Sequence, residues 1–335
     1  MNIIVPMAGM GKRMRPHTLT TPKPLLPIAG KSIVQRLVEN LAEISDEPIE
    51  RIGFVTGRFG KETEEELLQI AANAGAVGSI HYQDEALGTA HAILCAQEVL
   101  VGKTTVAFAD TLFKADFKID HEADGVLWVQ QIDDPSAFGV VKLNESGVIT
   151  DYVEKPKDFV SDLAMIGIYY VKDGAALKAE LQYLLDNGIM NGGEYQLPDA
   201  FRNMTEKGVK FVPGKVEEWL DCGNKKATVY TNSRILAFEH EKGLNLVNPT
   251  AKITDSVIIQ PCYIGDGVEI SNSVIGPGVS ISANTKVSGS VIENSIVYSN
   301  SFIKNKNFSN SMIGHYVSLE QKTEDLNIGD YSVEK

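Results

Sequence analysis

The chain has 335 residues, of which 43% are hydrophobic and 22% charged, and a formal net charge of -13. That length fills one or two cored domains, the acidic balance argues against nucleic acid as a partner, and no apolar run approaches the roughly 20 residues that span a bilayer. The three cysteines, Cys95, Cys222 and Cys262, are far apart and odd in number. No basic segment precedes an apolar stretch at the N-terminus, and no Cys/His spacing suggests zinc. These features point to the reducing cytoplasm, with no disulfide framework and no signal peptide.

In chain order, the apolar run Ile3-Ile4-Val5 reads as a first strand. It is followed at once by Gly9-Met10-Gly11-Lys12-Arg13-Met14-Arg15 and then Thr21-Pro22-Lys23-Pro24-Leu25. A strand, a glycine-rich turn and then cations make a cradle for phosphates, because glycine lets backbone N–H groups approach the oxygens. The first 38 residues hold six Lys or Arg and no Asp or Glu. A basic island in an acidic chain fits an anionic small molecule. The dinucleotide fingerprint fails, because Met14 stands where its third glycine belongs. The Walker A loop fails too, since Arg13 follows Gly11-Lys12 and the upstream glycine is missing.

Up to about residue 220, strand-like runs (Ile52–Val55, Thr104–Ala109, Gly125–Val129) alternate with helical ones (Ile33–Ile44, Glu62–Asn73, Thr89–Leu100). This predicts an α/β fold with a Rossmann-like, mostly parallel sheet whose ligands sit at the strands' carboxyl ends. The expected boundaries are an α/β domain over residues 1–225 and a helical connector over 226–245. From Ile253 to Ile303, Ile or Val recurs every five or six residues, separated by Gly, Ser, Asn and Asp. That period resembles a hexapeptide-repeat left-handed parallel β-helix over residues 246–320, of about 18 residues per coil and three to four coils. A small β-sandwich is the alternative. Asn and Ser accumulate towards the end, and Lys304-Asn305-Lys306-Asn307 blurs the repeat, so the last turn is expected to be irregular. The acidic segment 321–335 is expected to be a loose tail or a cap.

The glycine-rich segment, with Pro22-Lys23-Pro24-Leu25 and Pro27-Ile28-Ala29-Gly30-Lys31, resembles the sugar-phosphate nucleotidyltransferases over roughly residues 1–225. Pro16, Thr18, Pro22, Lys23, Pro24 and Leu25 fall in place. Lys12 departs from the family's Thr or Ser but keeps the backbone N–H. The resemblance implies transfer of a nucleoside monophosphate from UTP or dTTP to a sugar 1-phosphate, with pyrophosphate leaving. Such a transfer rests on positioning and on Mg²⁺. By resemblance Arg13 binds the triphosphate, Lys23 bridges the α-phosphate and the incoming phosphate, and Ala8, Gly9 and Gly11 meet the nucleotide. Asp110, in a segment similar to Gly-Asp-Asn-Leu-Phe, and Asp221, in Trp219-Leu220-Asp221-Cys222-Gly223, are implied metal ligands.

Tyr82-Gln83-Asp84-Glu85-Ala86-Leu87-Gly88-Thr89-Ala90-His91-Ala92 looks like the family's base-recognition segment. There Gln83 offers donor and acceptor to a pyrimidine edge, Gly88 lets the backbone meet the base, and Thr89 lies against the nucleotide, doubling as a helix N-cap. Its form is close to that of N-acetylglucosamine 1-phosphate uridylyltransferases, which leans towards UTP. His91 reads as a packed helix residue. On the sugar side, Gly139 in Phe138-Gly139-Val140-Val141, Glu154 and Lys155 in Glu-Lys-Pro, and Glu194 in Gly-Gly-Glu-Tyr are the implied contacts, with Lys155 on the sugar phosphate. The β-helix reads as a homo-oligomerisation module. Two other readings are a non-catalytic regulatory homologue and a bifunctional enzyme whose β-helix transfers acetyl groups, for which His315 is the available histidine.

Overall fold

The computed structural model describes residues 1–115, 117–322 and 327–333. The chain forms two compact units. Unit 1 comprises residues 1–26 and 31–224; unit 2 comprises 27–30 and 225–335.

Unit 1 is built on a mixed sheet. Its elements are β1 (Asn2–Pro6), α1 (Ile33–Ile44), β2 (Arg51–Thr56), α2 (Lys61–Asn73), β3 (Val77–Tyr82), α3 (Thr89–Cys95), β4 (Thr104–Ala107), β5 (Thr111–Lys114), β6 (Gly125–Gln131), β7 (Gly139–Leu143), β8 (Ile149–Glu154), β9 (Leu163–Val171), α4 (Gly174–Asp186), α5 (Leu197–Glu206), β10 (Phe211–Lys215) and β11 (Glu218–Asp221). The main order is β8-β7-β9-β4-β1-β2-β3, with β6 on β9 and β10 on β6. The strands β4, β1, β2 and β3 are parallel, as the alternation of strand and helix requires. Around β9 the sheet turns antiparallel, where strand follows strand without an intervening helix. The mostly parallel description therefore fits the half that carries the glycine-rich loop.

Local chemistry accounts for the helices. Ser32 caps α1 by accepting from the Gln35 N–H, and Ile33, Val34, Leu37, Val38, Leu41 and Ile44 form its buried stripe. Asp173 caps α4 through the N–H groups of Ala175 and Ala176. Helix α3 ends at Cys95 rather than at Leu100. Tight turns (Ala96 N–H to Ile93 O, Val99 N–H to Ala96 O) take over there and carry Val99 and Leu100 into the core. Behind the antiparallel half, Tyr152, Tyr169, Phe201 and Phe211 pack ring to ring.

Unit 2 is a helix, α6 (Lys225–Glu241), followed by three stacked parallel sheets of five, four and four strands, like a left-handed β-helix. Ile264, Ile270, Ile275, Ile281, Val287, Ile292, Val297 and Ile303 fill its interior. Coils step by 17 residues from Lys252 to Glu269 to Lys286, then by 16 to Phe302 and Ser318. They are shorter than the expected 18 because corners such as that between Glu269–Ser271 and Val274–Ile275 are turned on a left-handed residue, here Asn272.

The expected irregular last turn is not found. Asn307–Ser309 pairs in register with Val291–Glu293, and Ser318–Glu320 with Phe302–Lys304. Asn294, Asn300, Asn305 and Asn310 all have positive φ. They are the regular corners, since Asn tolerates the left-handed conformation better than other side-chain-bearing residues. The serines act similarly: Ser273, Ser290 and Lys306 each donate their N–H at 3.1 Å to the serine hydroxyl one coil below. Residues 323–326 and 334–335 of the expected tail lie outside the described residues.

Residues 27–30 are held within unit 2. Asn232 of α6 is buried, and its Oδ1 accepts from the Ala29 N–H (3.0 Å) and the Ser280 hydroxyl (2.6 Å). Its Nδ2 donates to Gly278 O at 3.2 Å. Nothing in the sequence pattern announced this buried amide, which satisfies three separated segments at once.

Candidate active site

The glycine-rich loop leaves β1 and turns at Gly11, whose φ is +56°. A Cβ there would meet Lys23 Cβ and Thr18 Cγ2, each at 3.0 Å. The Thr18 hydroxyl donates to Gly11 O at 2.9 Å. Gly11 thus lets the loop close onto the segment bearing Lys23. The 3-10 turn Lys12–Met14 follows, with Met14 buried as an anchor and Arg13 exposed beside it.

Asp110 and Asp221 come together through an antiparallel ribbon. β11 pairs with β5 so that Asp221 opposes Thr111, and the Cys222 N–H donates to Asp110 O at 2.9 Å. Lys23 Nζ lies 2.6 Å from Asp110 Oδ2. Burial, and then the neighbouring Asp110 carboxylate, push the Asp221 carboxyl above its usual range. The Gly223 N–H (2.9 Å from Asp221 Oδ1), Lys23 and Arg13 pull it back. Two half-buried carboxylates, of which Asp221 is disfavoured as an ion by burial and by its neighbour, are a fitting donor set for a cation. Among the described residues no cluster of three or more His, Cys, Asp or Glu is poised for a metal. A pair suits Mg²⁺, which takes one or two carboxylates and completes its shell with phosphate oxygens and water.

Three cavities surround this centre. One of about 250 Å³ is lined by Ala8, Gly9, Lys23, Gln83, Gly88 and Asp110. Another, of about 460 Å³, is lined by Arg13, Asp110, Gly139, Glu154, Trp219 and Asp221. Thr89, Phe108 and Asp110 line both. In a third, of about 400 Å³, Lys12, Arg13 and Lys23 share the wall with Gly11 and Gly223. Lys12, where the resembled family has Thr or Ser, therefore adds a third cation to one concave surface.

Two of the implied sugar-side residues lie outside the lining of the cavity of Gly139 and Glu154. Glu194 lines the smaller cavity with Gln83 and Gly88, not the one with Gly139 and Glu154. Lys155 lines none of the three; it is exposed, at φ 43°, with its ammonium 3.6 Å from Glu154 Oε1.

The N-cap of α3 is Gly88, not Thr89. The Thr89 hydroxyl instead accepts from the Leu197 N–H at 2.9 Å and donates to Gln196 Oε1 at 3.3 Å. Tyr195 N–H donates to Leu87 O (2.8 Å) and Ala90 N–H to Tyr195 O (2.9 Å). These bonds stitch the expected base segment to the segment of Glu194. Gly88, at φ +112°, is required here, since a Cβ would collide with the Tyr195 carbonyl. The Gln83 nitrogen lies 3.1 Å from both Gly88 O and His91 Nδ1. Phe138 and Trp219 meet edge to face at 4.9 Å beside Gly139 and Asp221. Sequence reasoning quoted both segments and missed this aromatic wall, because nothing local marks a contact so distant along the chain.

The nucleotidyl transferase family matches residues 2–237, and the chain belongs to that family. It is 28% identical to a glucose-1-phosphate thymidylyltransferase of Streptomyces antibioticus, over 99% of this chain and 98% of that one. It is also 28% identical to the bifunctional protein GlmU of Methanococcus maripaludis, over 78% of this chain and 60% of that relative, so the match leaves two fifths of the relative uncovered. Among solved structures, a UDP-glucose pyrophosphorylase complexed with UDP-glucose is similar at TM-score 0.56 and 25% identity, over 71% of this chain and 98% of that one.

Proposed function

We propose that the protein transfers a nucleoside monophosphate from UTP or dTTP to a sugar 1-phosphate, with Mg²⁺ as cofactor. The observation that carries this reading is that Asp110 lines both the cavity of Gly9, Gln83 and Gly88 and the cavity of Gly139 and Glu154. A group between two cavities is where two substrates exchange a bond. The relatives named above, for glucose-1-phosphate and UDP-glucose, carry the same class of reaction in their names.

In this reading a sugar-phosphate oxygen attacks the α-phosphorus in line, the bond to the β-phosphate oxygen breaks, and pyrophosphate leaves with the electron pair. Lys12, Arg13 and Lys23 face the triphosphate and neutralise charge that builds on the leaving group. Lys23, already at 2.6 Å from Asp110, holds a cation at the junction of the two substrates. Asp110 and Asp221 would hold Mg²⁺, whose charge would screen the phosphates from one another. Glu154 accepts sugar hydroxyls beside the Gly139 backbone, and Trp219 with Phe138 supplies an apolar wall. Lys155, exposed and 3.6 Å from Glu154, is assigned to the sugar phosphate, and Glu194 to the substrate that fills the smaller cavity.

The β-helix is assigned to self-assembly. Among the described residues no helix is long and apolar enough to cross a membrane. The test is pyrophosphate release with Mg²⁺ across five nucleoside triphosphates crossed with glucose, N-acetylglucosamine, galactose and mannose 1-phosphates. Release should require UTP or dTTP together with one sugar phosphate. Silence across the grid from folded protein, with nucleotide-sugar binding retained, would instead make it a regulatory binder.

A further inference from the structure

We infer that His91 is a positioning residue that locks the Gln83 amide, so that Gln83 presents only its oxygen to the base. The site then selects bases whose ring nitrogen carries a hydrogen beside a carbonyl, as in uracil and thymine, over cytosine. This rests on the proposed nucleotide-binding role of the smaller cavity.

The amide's orientation follows from its partners. Gln83 Nε2 is 3.1 Å from Gly88 O. A carbonyl only accepts, so the atom facing it must be the nitrogen. The same nitrogen is 3.1 Å from His91 Nδ1. An amide nitrogen only donates, so Nδ1 must accept, and the ring is neutral with its hydrogen on Nε2. Both amide hydrogens are then used inside the protein. Gly88 O can take this second bond because a carbonyl has two lone pairs, the other serving the Ala92 N–H at 3.1 Å. Gln83 Oε1 takes no partner among the described residues, and Gln83 lines the cavity while His91 does not. The Gln83 N–H, bonded to Thr56 O at 3.0 Å, fixes the root of the side chain.

An oxygen held outward accepts from a ring N–H and repels a ring nitrogen that carries a lone pair. Uracil and thymine offer the first and cytosine the second. A free amide would rotate and serve either, so discrimination depends on the two groups that hold its nitrogen. Gly88 O holds one, and any residue at 88 keeps that carbonyl. His91 holds the other, and its identity is set by the sequence. The backbone N–H of Gly88 takes no partner among the described residues and can donate to the adjacent base carbonyl.

The test compares wild type, His91→Leu and His91→Asn, measuring UTP and CTP affinity by calorimetry and the kcat/KM ratio for the two nucleotides. Circular dichroism and Tm establish that each variant is folded; His91→Ala replaces His91→Leu if that variant is not. His91→Leu should lower the UTP:CTP preference by about tenfold, mainly through weaker UTP binding. His91→Asn, whose amide oxygen can accept where Nδ1 did, should restore most of it. Turnover by wild type with an unchanged preference in folded His91→Leu would overturn this inference and leave the reaction standing. Uracil-selective binding that His91→Leu abolishes, without turnover by any variant, would support it while removing the catalytic reading.

Discussion

The asparagine corners of the β-helix and two glycines of the candidate site both use left-handed backbone, and the contrast between them separates scaffold from chemistry. In the β-helix, Asp255, Asn272, Asn284, Asn294, Asn300, Asn305 and Asn310 turn corners at positive φ. Each carries a side chain, and Asn284 is exposed. At the candidate site Gly11 and Gly88 stand at positive φ with another segment pressed against the place where a Cβ would stand, while Lys155 carries its side chain at φ 43°. A corner asks only for a conformation, so it recurs every coil. Gly11 and Gly88 ask for conformation and contact together, as Gly276 does in the β-helix against the Ile259 carbonyl, but at the site the contacting segments bear the candidate functional residues. Substitutions in the β-helix should therefore cost stability locally, and substitutions at the site should cost function out of proportion to stability.

Lys23→Ala should give the largest effect, lowering kcat by about 10²–10³ with little change in Tm, read by steady-state pyrophosphate release. A comparable loss of Tm would mean that the Lys23–Asp110 pair is scaffold. Gly88→Ala comes next. It forces the Tyr195 segment away, so UTP affinity should fall by about tenfold or more, an effect calorimetry can separate from unfolding. Asn284→Ala should cost about 1 kcal/mol of stability in denaturant melts and leave kcat unchanged, with Asn284→Gly close to wild type. Equal damage from Gly88→Ala and Asn284→Ala in the activity assay would erase the contrast.

The smallest effect concerns His315, whose ring stacks on Tyr298 at 4.9 Å with Nδ1 2.8 Å from the Ser299 hydroxyl. Burial pushes its pKa below the ordinary 6.5. The unfolded chain therefore takes up the proton first as pH falls. The contribution of this group is fully present above about pH 6.5 and is lost as pH drops through the lower folded value. His315→Gln should flatten that part of the Tm–pH curve, and an unchanged curve would show that the ring titrates normally.

Much of this was legible in the sequence because it is periodic or contiguous. The isoleucine period marked the β-helix interior from Ile264 to Ile303, though Ile253 at its start is exposed, and the helical run Ile33–Ile44 matches α1. Asp110 and Asp221 were implied by the resemblance of their short segments, though only the β5–β11 register explains their meeting. What stayed hidden depends on contacts between distant segments. The Thr89 hydroxyl is taken up by Gln196 and Leu197, the Gln83 nitrogen by Gly88 and His91, and Ala29 by Asn232. The asparagines near residue 305 were misread for another reason: composition suggested irregularity, whereas their tolerance of positive φ makes the corners regular.

The most direct measurement is kcat for Asp221→Asn against wild type, with Mg²⁺, UTP and the preferred sugar 1-phosphate at saturation and circular dichroism on both. The change keeps shape and removes the charge that burial and Asp110 already disfavour. Turnover should fall by at least about 100-fold in a protein that melts at or above the wild-type temperature. Turnover within about threefold of wild type would contradict the placement of catalysis between Asp110 and Asp221.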